Sequence, residues 1–156
     1  MGAEQAAIRS GEIGDAERMA EVSLTVRGSA GSDPRDAIID PGRLVLVVEV
    51  DGKVVGWAKT HHYDEASDSA PAGHYLGGVN VHPDFQRRGI GSALTRARLD
   101  WIWDRAPDAW FVTNARNVAS IELHARLGFT EIARANEFHG TTFEGGVGIL
   151  FRARAS

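Results

Sequence analysis

Apolar and polar positions follow a helical period in some stretches of the chain. In Ile13–Val26, apolar residues recur every three or four positions, as on one buried face of a helix. The same spacing returns from Ile90 to Trp101, and Pro107 ends that pattern. A shorter helix is expected around Ala37–Ile39, after a loop rich in Gly, Ser and Pro.

Other stretches are short apolar runs rich in β-branched residues, which predict strands. Arg43–Val50 and Lys53–Thr60 are two such runs joined by Asp51-Gly52, a strong signal for a tight hairpin. Further strands are predicted at Ala6–Arg9, His74–His82, Ala109–Thr113, Phe129–Ala135 and Gly146–Arg154.

The order of these elements predicts the fold class. Antiparallel hairpins come first, and a strand–helix–strand–helix–strand series follows. The last helix, Val118–Leu127, has Asn117 as a suitable N-cap and Gly128 as a suitable residue after its end. We therefore predict a mixed α/β (α+β) sheet with helices on its faces, in a single domain over residues 1–156.

Composition and charge narrow the function classes. A chain of 156 residues with 43% hydrophobic and 24% charged residues suits one globular domain. The absence of cysteine excludes disulfides, thiolate metal sites and a cysteine nucleophile. No apolar run approaches the roughly 20 residues of a membrane span, and no signal-peptide pattern is present, so we expect a cytoplasmic protein without a membrane partner. The net charge of -4 argues against nucleic-acid binding.

The segment Gln86–Ala93, QRRGIGSA, lies between a predicted strand and a predicted helix. The first N–H groups of a helix lack intrahelical partners and favour an anion, and glycines let a phosphate approach the backbone. A P-loop would require a lysine here, and Leu94 stands where a dinucleotide-binding loop has its third glycine. The segment therefore predicts a phosphate site of another kind, with a purely structural turn as the alternative.

This loop fits the pattern Q/R-x-x-G-x-G/A and resembles that of the GNAT superfamily of acetyl-CoA-dependent N-acetyltransferases. The stretch VNVHPDFQRRGIGSALTRARLDW is similar to that family's strand–loop–helix for the CoA pyrophosphate, and NVASIELHARLGF is similar to its second signature. The resemblance covers residues 79–129, and the N-terminal half matches only in its pattern of elements. It implies a mostly antiparallel sheet of about seven strands with about four helices, splayed between strands 4 and 5.

The resemblance also implies which residues contact acetyl-CoA. Backbone groups of Val79 and Val81 would pair with the pantetheine arm, and the N–H of Val81 would point at the thioester carbonyl. Asn117 and Ser120 would contact the pantetheine, and His124 sits where many relatives have a tyrosine near the sulfur. The pyrophosphate would be wrapped by Gln86, Arg87, Arg88, Gly89, Ile90, Gly91, Ser92 and Ala93. For the two arginines, solvated surface charges remain the alternative, and Asn117 is a helix cap in either case.

Acetyl transfer requires a neutral amine, and a lysine-like amine is neutral only about one part in 10³ at pH 7. A base, or water leading to one, is therefore expected. The candidates on the fourth strand are His74, Tyr75, Asn80 through a water, and His82. Tyr75 stands where some relatives have a glutamate, so the base is left open. His124 is the candidate donor to the leaving thiolate, with simple packing beside the cofactor as the alternative, and no metal is expected.

The acceptor is the least constrained part. Several loop carboxylates would suit a small cationic amine, and for each the alternative is a solvated loop charge: Asp64, Glu65, Glu137 and Glu144. The C-terminal stretch ANEFHGTTFEGGVGILFRAR is similar to bacterial small-molecule acetyltransferases that include aminoglycoside 6′-N-acetyltransferases, which makes an aminoglycoside the lead hypothesis. The alternatives are a protein N-terminus or lysine as acceptor, and a catalytically inactive sensor of acyl-CoA. Because relatives are often dimers, a homodimer is a further expectation.

Overall fold

The computed structural model describes residues 6–156 as a mixed sheet with helices. The strands are β1 Ala6–Ser10, β2 Val45–Val50, β3 Lys53–Tyr63, β4 Gly73–Val81, β5 Asp108–Asn114, β6 Thr130–Ala135, β7 Glu137–Phe138, β8 Thr141–Thr142 and β9 Gly148–Arg154. The helices are α1 Ala16–Arg27, α2 Pro34–Ile39, α3 Ile90–Trp103 and α4 Val118–Arg126, with single 3-10 turns at Ile13–Asp15 and Pro83–Phe85.

Seven strands are hydrogen-bonded in the order β1-β2-β3-β4-β5-β9-β6, and β7 and β8 form a separate two-stranded ribbon. The pairs β1–β2, β2–β3, β5–β9 and β6–β9 are antiparallel. The β4–β5 pair is parallel and joins His74–Leu76 to Ala109–Phe111. These observations confirm the predicted mixed, mostly antiparallel sheet, and the splaying of strand 4 from strand 5 stays a prediction.

The predicted hairpin between β2 and β3 forms at the expected residues. Val50 pairs with Lys53, and the two residues between them both have positive φ, 52° at Asp51 and 78° at Gly52. That combination belongs to the tight turn whose twist matches the twist of a β-ribbon. The Asp-Gly signal is thus confirmed.

Two local features differ from the sequence prediction. The helix predicted over Ile13–Val26 begins with a 3-10 turn, in which Asp15 N–H donates to Glu12 O at 2.8 Å and Asp15 Oδ2 accepts Glu12 N–H at 2.8 Å, and α1 follows from Ala16. The β7–β8 ribbon was not predicted, since two-residue strands carry no readable periodicity.

The chain forms two compact units. The first contains the residues up to Thr60 together with Gly77–Arg98, and the second contains His61–Leu76 and Leu99–Ser156. The prediction of one domain remains a prediction.

In the first unit, β2 and β3 are covered on both faces. On one side, Met19 and Val22 of α1 pack with Val47 and Trp57. The other side holds a second cluster, Leu46, Val48, Val50, Val55, Ala58, Val81, Ile90 and Leu94. A strand buried on both faces has a continuous apolar run, which explains the sequence VLVVEV of β2.

In the second unit, the core is aromatic. Leu99 and Ile102 of α3 pack with Phe111 of β5 and Phe151 of β9. A further cluster contains Ala70, Tyr75, Trp110, Phe138 and Leu150. Within residues 6–156, none of the helices has both the length and the apolar character needed to cross a bilayer.

Candidate functional site

The segment between β4 and α3 is held in place by contacts with its own flanks. Gln86 folds back, so that its Nε2 donates to the carbonyl oxygen of Val81 at 2.9 Å. Arg88 donates from Nη2 to the carbonyl of Asp84 at 3.1 Å, and its guanidinium lies 5.1 Å from the centre of the Phe85 ring. The loop is therefore shaped before any ligand binds.

The two glycines of this loop are explained differently. Gly89 has a φ of 79°, a left-handed conformation that favours glycine. Gly91 lies in the first turn of α3 without positive φ, and a Cβ there would meet no protein atom within 4 Å. Glycine in a helix costs roughly 1 kcal/mol relative to alanine. Neither the backbone nor the packing of the described residues requires a glycine at position 91, so the position is open to a ligand that approaches the helix start.

The first turn of α3 supplies the donors for an anion. Ala93 N–H donates to Gly89 O at 3.0 Å. The N–H groups of Ile90, Gly91 and Ser92 come before it and belong to the turn that an α-helix leaves without intrahelical acceptors. With the helix dipole, these donors favour a phosphate. The first turn of α3 therefore offers donors suited to an anion, and the phosphate site over Gln86–Ala93 stays a prediction.

The backbone of β4 next to this loop points its polar groups in a defined direction. His82 N–H donates to Val55 O of β3 at 2.8 Å. Since successive residues of a paired strand direct their amide groups to opposite edges, the N–H groups of Val81 and Val79 point away from β3. Accordingly, the carbonyl oxygen of Val81 accepts a hydrogen bond from the Gln86 side chain and not from a neighbouring strand. These N–H groups can therefore donate to a ligand that lies along the strand.

In the second unit, α4 begins at a side-chain cap. The Oδ1 of Asn117 accepts the N–H of Ser120 at 3.2 Å, and Gly128, with a φ of 96°, lies just past the helix end. Both terminal signals in the sequence are confirmed. Oδ1 belongs to the cap, so the Nδ2 group of Asn117 is the part of this side chain that can donate to a ligand.

His124 lies on α4 and is 5% exposed. Its ring stacks on Phe111, with the ring centres 3.7 Å apart and the planes at 6°, and Phe129 meets it edge-on. Its Nδ1 lies 2.7 Å from the carbonyl oxygen of Ser120, and a carbonyl only accepts, so Nδ1 carries a proton. A neutral imidazole in this arrangement presents Nε2 as an acceptor. It donates from Nε2 only in its doubly protonated form.

Two candidates for the base on β4 are engaged with other groups. Tyr75 is 3% exposed and donates its hydroxyl proton to Pro71 O at 2.7 Å. Burial is the main cause that raises the pKa of Tyr75, with Tyr63 as a smaller cause, so this tyrosine is poorly suited to be a base. Asn80 is 4% exposed, and its Oδ1 accepts Arg27 Nε at 2.6 Å.

The histidines at the two ends of β4, His74 in the strand and His82 just after it, lie in different settings. His74 is half-buried, its ring 4.4 Å from that of His62 and 5.5 Å from that of Trp101. Burial, followed by the charges of His62 and Arg105, lowers the pKa of His74. His82 accepts Asp84 N–H on Nδ1 at 3.2 Å and so caps the turn after β4. In residues 6–156, no group of His, Asp and Glu has a metal-binding arrangement.

The four predicted acceptor carboxylates all lie in the second unit and are exposed. Asp64 pairs with His62 Nδ1 at 3.1 Å, and Glu137 accepts Gly140 N–H at 3.0 Å. Glu144 lines a cavity of about 210 Å³ together with Asn114, Ala115, Arg116, Arg134, Gly145 and Val147. The arginines in that lining give the cavity a mixed charge. The contacts of these carboxylates are thus local ones, as expected for surface charges.

Arg98 is a buried cation that the sequence patterns did not single out, and it is 0% exposed. Its Nη1 donates to the carbonyls of Lys59 at 2.9 Å and Gly77 at 3.0 Å, and Nε and Nη2 bond Leu94 and Thr95. Burial lowers the pKa of Arg98 to about 9. The available signal was its position four residues after Leu94, on the apolar face of α3, where a charged residue is unexpected.

The fold is a mixed α/β sheet with a glycine-containing turn between the central strand β4 and the helix α3. The model of the acetyltransferase (GNAT) family matches residues 17–129, well over half of the chain. The chain belongs to this family, which confirms the resemblance carried by the two motifs.

Comparisons with known proteins agree with this assignment. The chain is 36% identical over 94 residues to a mycothiol acetyltransferase of Pseudarthrobacter chlorophenolicus, covering 58% of this chain and 28% of that protein. It is 35% identical over 65 residues to the ribosomal protein bS18-alanine N-acetyltransferase of Escherichia coli, covering 41% of this chain and 44% of that protein. The chain thus spans less than half the length of these relatives.

Solved structures share the fold over nearly the whole chain. The ribosomal-protein-S18-alanine N-acetyltransferase of Escherichia coli has a TM-score of 0.77 at 24% identity, covering 97% of this chain and 95% of that one. The PaiA N-acetyltransferase of Thermoplasma acidophilum, solved in complex with coenzyme A, has a TM-score of 0.74 at 12% identity, covering 97% and 99%. At these identities the likeness establishes the fold.

Proposed function

We propose that this chain transfers the acetyl group of acetyl-CoA to a primary amine of a small acceptor molecule. The start of α3 carries the proposal, because Gly91 leaves open space beside first-turn N–H groups in the loop that resembles the family's pyrophosphate site. The names of the relatives point to the same chemistry, since mycothiol and ribosomal bS18-alanine acetyltransferases both transfer acetyl groups.

The proposed contacts with acetyl-CoA fall into two groups. In the first unit, the backbone of Gln86–Ala93 holds the pyrophosphate, Arg87 adds a charge-assisted bond, and Val79 and Val81 pair with the pantetheine arm. In the second unit, Asn117 Nδ2 and the Ser120 hydroxyl contact the pantetheine, and His124 lies near the sulfur.

The acceptor amine attacks the thioester carbonyl directly in a ternary complex. Val81 N–H, directed away from β3, is the proposed donor to the oxygen that becomes negative. The thiolate is a fair leaving group, because a thiol has a pKa near 8.5. Proton loss from the amine is proposed to pass through water, since Tyr75 donates its own proton to a carbonyl and the oxygen of Asn80 is bound to Arg27.

The acceptor class was expected to be cationic, with an aminoglycoside acetylated at its 6′ amine as first choice. That expectation rests on four carboxylates, Asp64, Glu65, Glu137 and Glu144. Because they are exposed, they are accessible to a cationic acceptor, and an aminoglycoside is kept as one arm of the test. Acetylation of a protein N-terminus or lysine is a second arm, suggested by the name of the bS18 relative.

A thiol-release assay with acetyl-CoA tests the proposal. The panel contains aminoglycosides, polyamines, amino acids, amino-acid amides and peptides, and mass spectrometry locates the acetyl group on the product. We expect turnover with at least one primary amine. Binding of CoA without turnover on any amine would instead support the acyl-CoA sensor.

A further inference from the structure

The side chains of Arg27 and Lys59 follow a row of contacts between α1 and β3. Trp57 Nε1 donates to Met19 O at 3.1 Å and to Ser23 Oγ at 3.0 Å, so α1 crosses β3 at this side chain. Arg27 follows Ser23 by one helical turn, and Lys59 follows Trp57 by two residues on the same face of the strand. The Lys59 ammonium lies 5.6 Å from the centre of the Trp57 ring.

Arg27 reaches across to β4. Its Nε donates to Asn80 Oδ1 at 2.6 Å, and a Cβ on Gly78 would lie 2.6 Å from its Nη2. The absence of a side chain at position 78 therefore makes room for the guanidinium on the strand. Among residues 6–156, no carboxylate pairs with Arg27, and its two terminal nitrogens make no hydrogen bond.

Lys59 is half-buried, and its ammonium has no hydrogen-bond acceptor or carboxylate within the described residues. Burial, followed by the charges of Arg43 and Arg27, lowers the pKa of Lys59. Ion pairs of the first unit lie elsewhere, as in Arg9–Asp15 and Arg35–Asp33. Partial burial of Lys59 near the positive charges of Arg43 and Arg27 costs free energy, and an anion would offset that cost.

We propose that Arg27 and Lys59 bind an oxyanion, a carboxylate or a phosphate, carried by the amine acceptor. The two terminal nitrogens of Arg27 can donate hydrogen bonds to two oxygens of one anion, and the Lys59 ammonium adds a point charge. Asn80 lies between Val79 and Val81, so an anion held beside it places the rest of the acceptor next to the strand proposed to carry the thioester. This inference rests on the proposed function and replaces a purely cationic acceptor by an amine that also bears a negative group.

Matched acceptors test the proposal in the assay described above. The first pair is an amino acid and its amide, and the second is phosphoethanolamine and ethanolamine. We expect kcat/KM to be about tenfold or more higher for the charged member of at least one pair, as for a charge-assisted site. Lys59→Met and Arg27→Met should remove this preference, leaving the neutral members and the KM for acetyl-CoA within about threefold.

The chain provides matched controls. Lys53 is an exposed lysine at the start of the same strand, and Arg96 is an exposed arginine on α3. Lys53→Met and Arg96→Met should retain the preference. Circular dichroism and the thermal midpoint establish that all four variants are folded.

The outcomes separate this inference from the proposed function. Equal turnover of charged and neutral acceptors, unchanged by Lys59→Met, would overturn the oxyanion site while acetyl transfer stands. A rise in the KM for acetyl-CoA in both Lys59→Met and Arg27→Met would mean that the two cations bind an anionic group of the cofactor. That result would also overturn the proposed acceptor site. If no amine is acetylated, the oxyanion site is tested by the shift in thermal midpoint that an N-acetyl amino acid and its amide produce. Stabilisation of the wild type by the acid alone, lost in Lys59→Met, supports the site even though the proposed function fails.

Discussion

The starts of α3 and α4 are built in opposite ways. α4 begins at Asn117, whose own side chain accepts the N–H of Ser120. α3 begins after Gly89, a residue with no side chain to offer, and continues through Gly91, beside which the space is open. One helix satisfies a first-turn donor with a side chain of its own, and the other has open space beside its first turn.

This difference indicates what each residue type can reveal about function. A capping asparagine is explained by the helix it starts, so a ligand role for it needs a separate test. Gly91 is required by neither φ nor packing, and the same is true of Gly14. What distinguishes Gly91 is the loop around it, which resembles the family's pyrophosphate site, so the proposed cofactor role rests on the glycine and the loop together.

The largest expected effect comes from filling that space. Gly91→Val should weaken CoA binding by about 100-fold, because the new methyl groups meet the ligand at a helix start where phosphate must approach the backbone. The free energy of unfolding should change by less than about 1 kcal/mol, since Cβ meets no protein atom and valine is the better helix former. Calorimetric titration with CoA and urea unfolding provide the two measurements.

Gly14 provides the control for this prediction. It also lacks positive φ, and a Cβ there would likewise meet no atom within 4 Å, but it lies in the 3-10 turn before α1. Gly14→Val should bind CoA like the wild type. If Gly91→Val also bound CoA normally, the loop would be a structural turn and the cofactor site would have to be sought elsewhere.

A second effect concerns the chemistry near α4. His124→Phe keeps the aromatic stack on Phe111 but removes both ring nitrogens. If a ring nitrogen assists the leaving thiolate, kcat should fall about tenfold while the dissociation constant of CoA stays within about threefold. Steady-state kinetics and CoA titration measure these separately, and an unchanged kcat would assign His124 to packing alone.

The contrast between the two helix starts also shows why sequence analysis succeeded where it did. The Asp51-Gly52 turn, the Asn117 cap and the glycine loop are local patterns, whose structure depends on neighbours in the chain. The pairing of Arg27 with Asn80, 53 positions away, is long-range and left no local signature. The same holds for Arg98, which bonds carbonyls of two strands, and for Tyr75, whose donation to Pro71 could not be inferred from its position in a strand.

A pair of substitutions separates the two roles of Asn117. Asn117→Ala should lower the free energy of unfolding by about 1 kcal/mol, because it removes the cap. Asn117→Asp keeps an oxygen for the Ser120 N–H, so stability should be retained, but it removes the Nδ2 donor. We expect it to weaken CoA binding by about fivefold, the loss of one hydrogen bond of roughly 1 kcal/mol. Normal CoA binding by the aspartate variant would leave the asparagine as a cap only.

The smallest expected effect concerns His74, in the same unit as α4. Burial, His62 and Arg105 lower the pKa of His74 in the folded state. Below the ordinary histidine pKa of about 6.5, the unfolded chain therefore binds a proton that the folded chain does not, so acidification favours unfolding and stability rises with pH in that window.

Urea unfolding at several pH values between about 7.5 and 5.5 should show a shallower loss of stability for His74→Phe than for the wild type. Parallel curves for wild type and His74→Phe would mean that His74 is protonated as easily in the folded chain as in the unfolded one, and that the second unit owes its acid sensitivity to other groups.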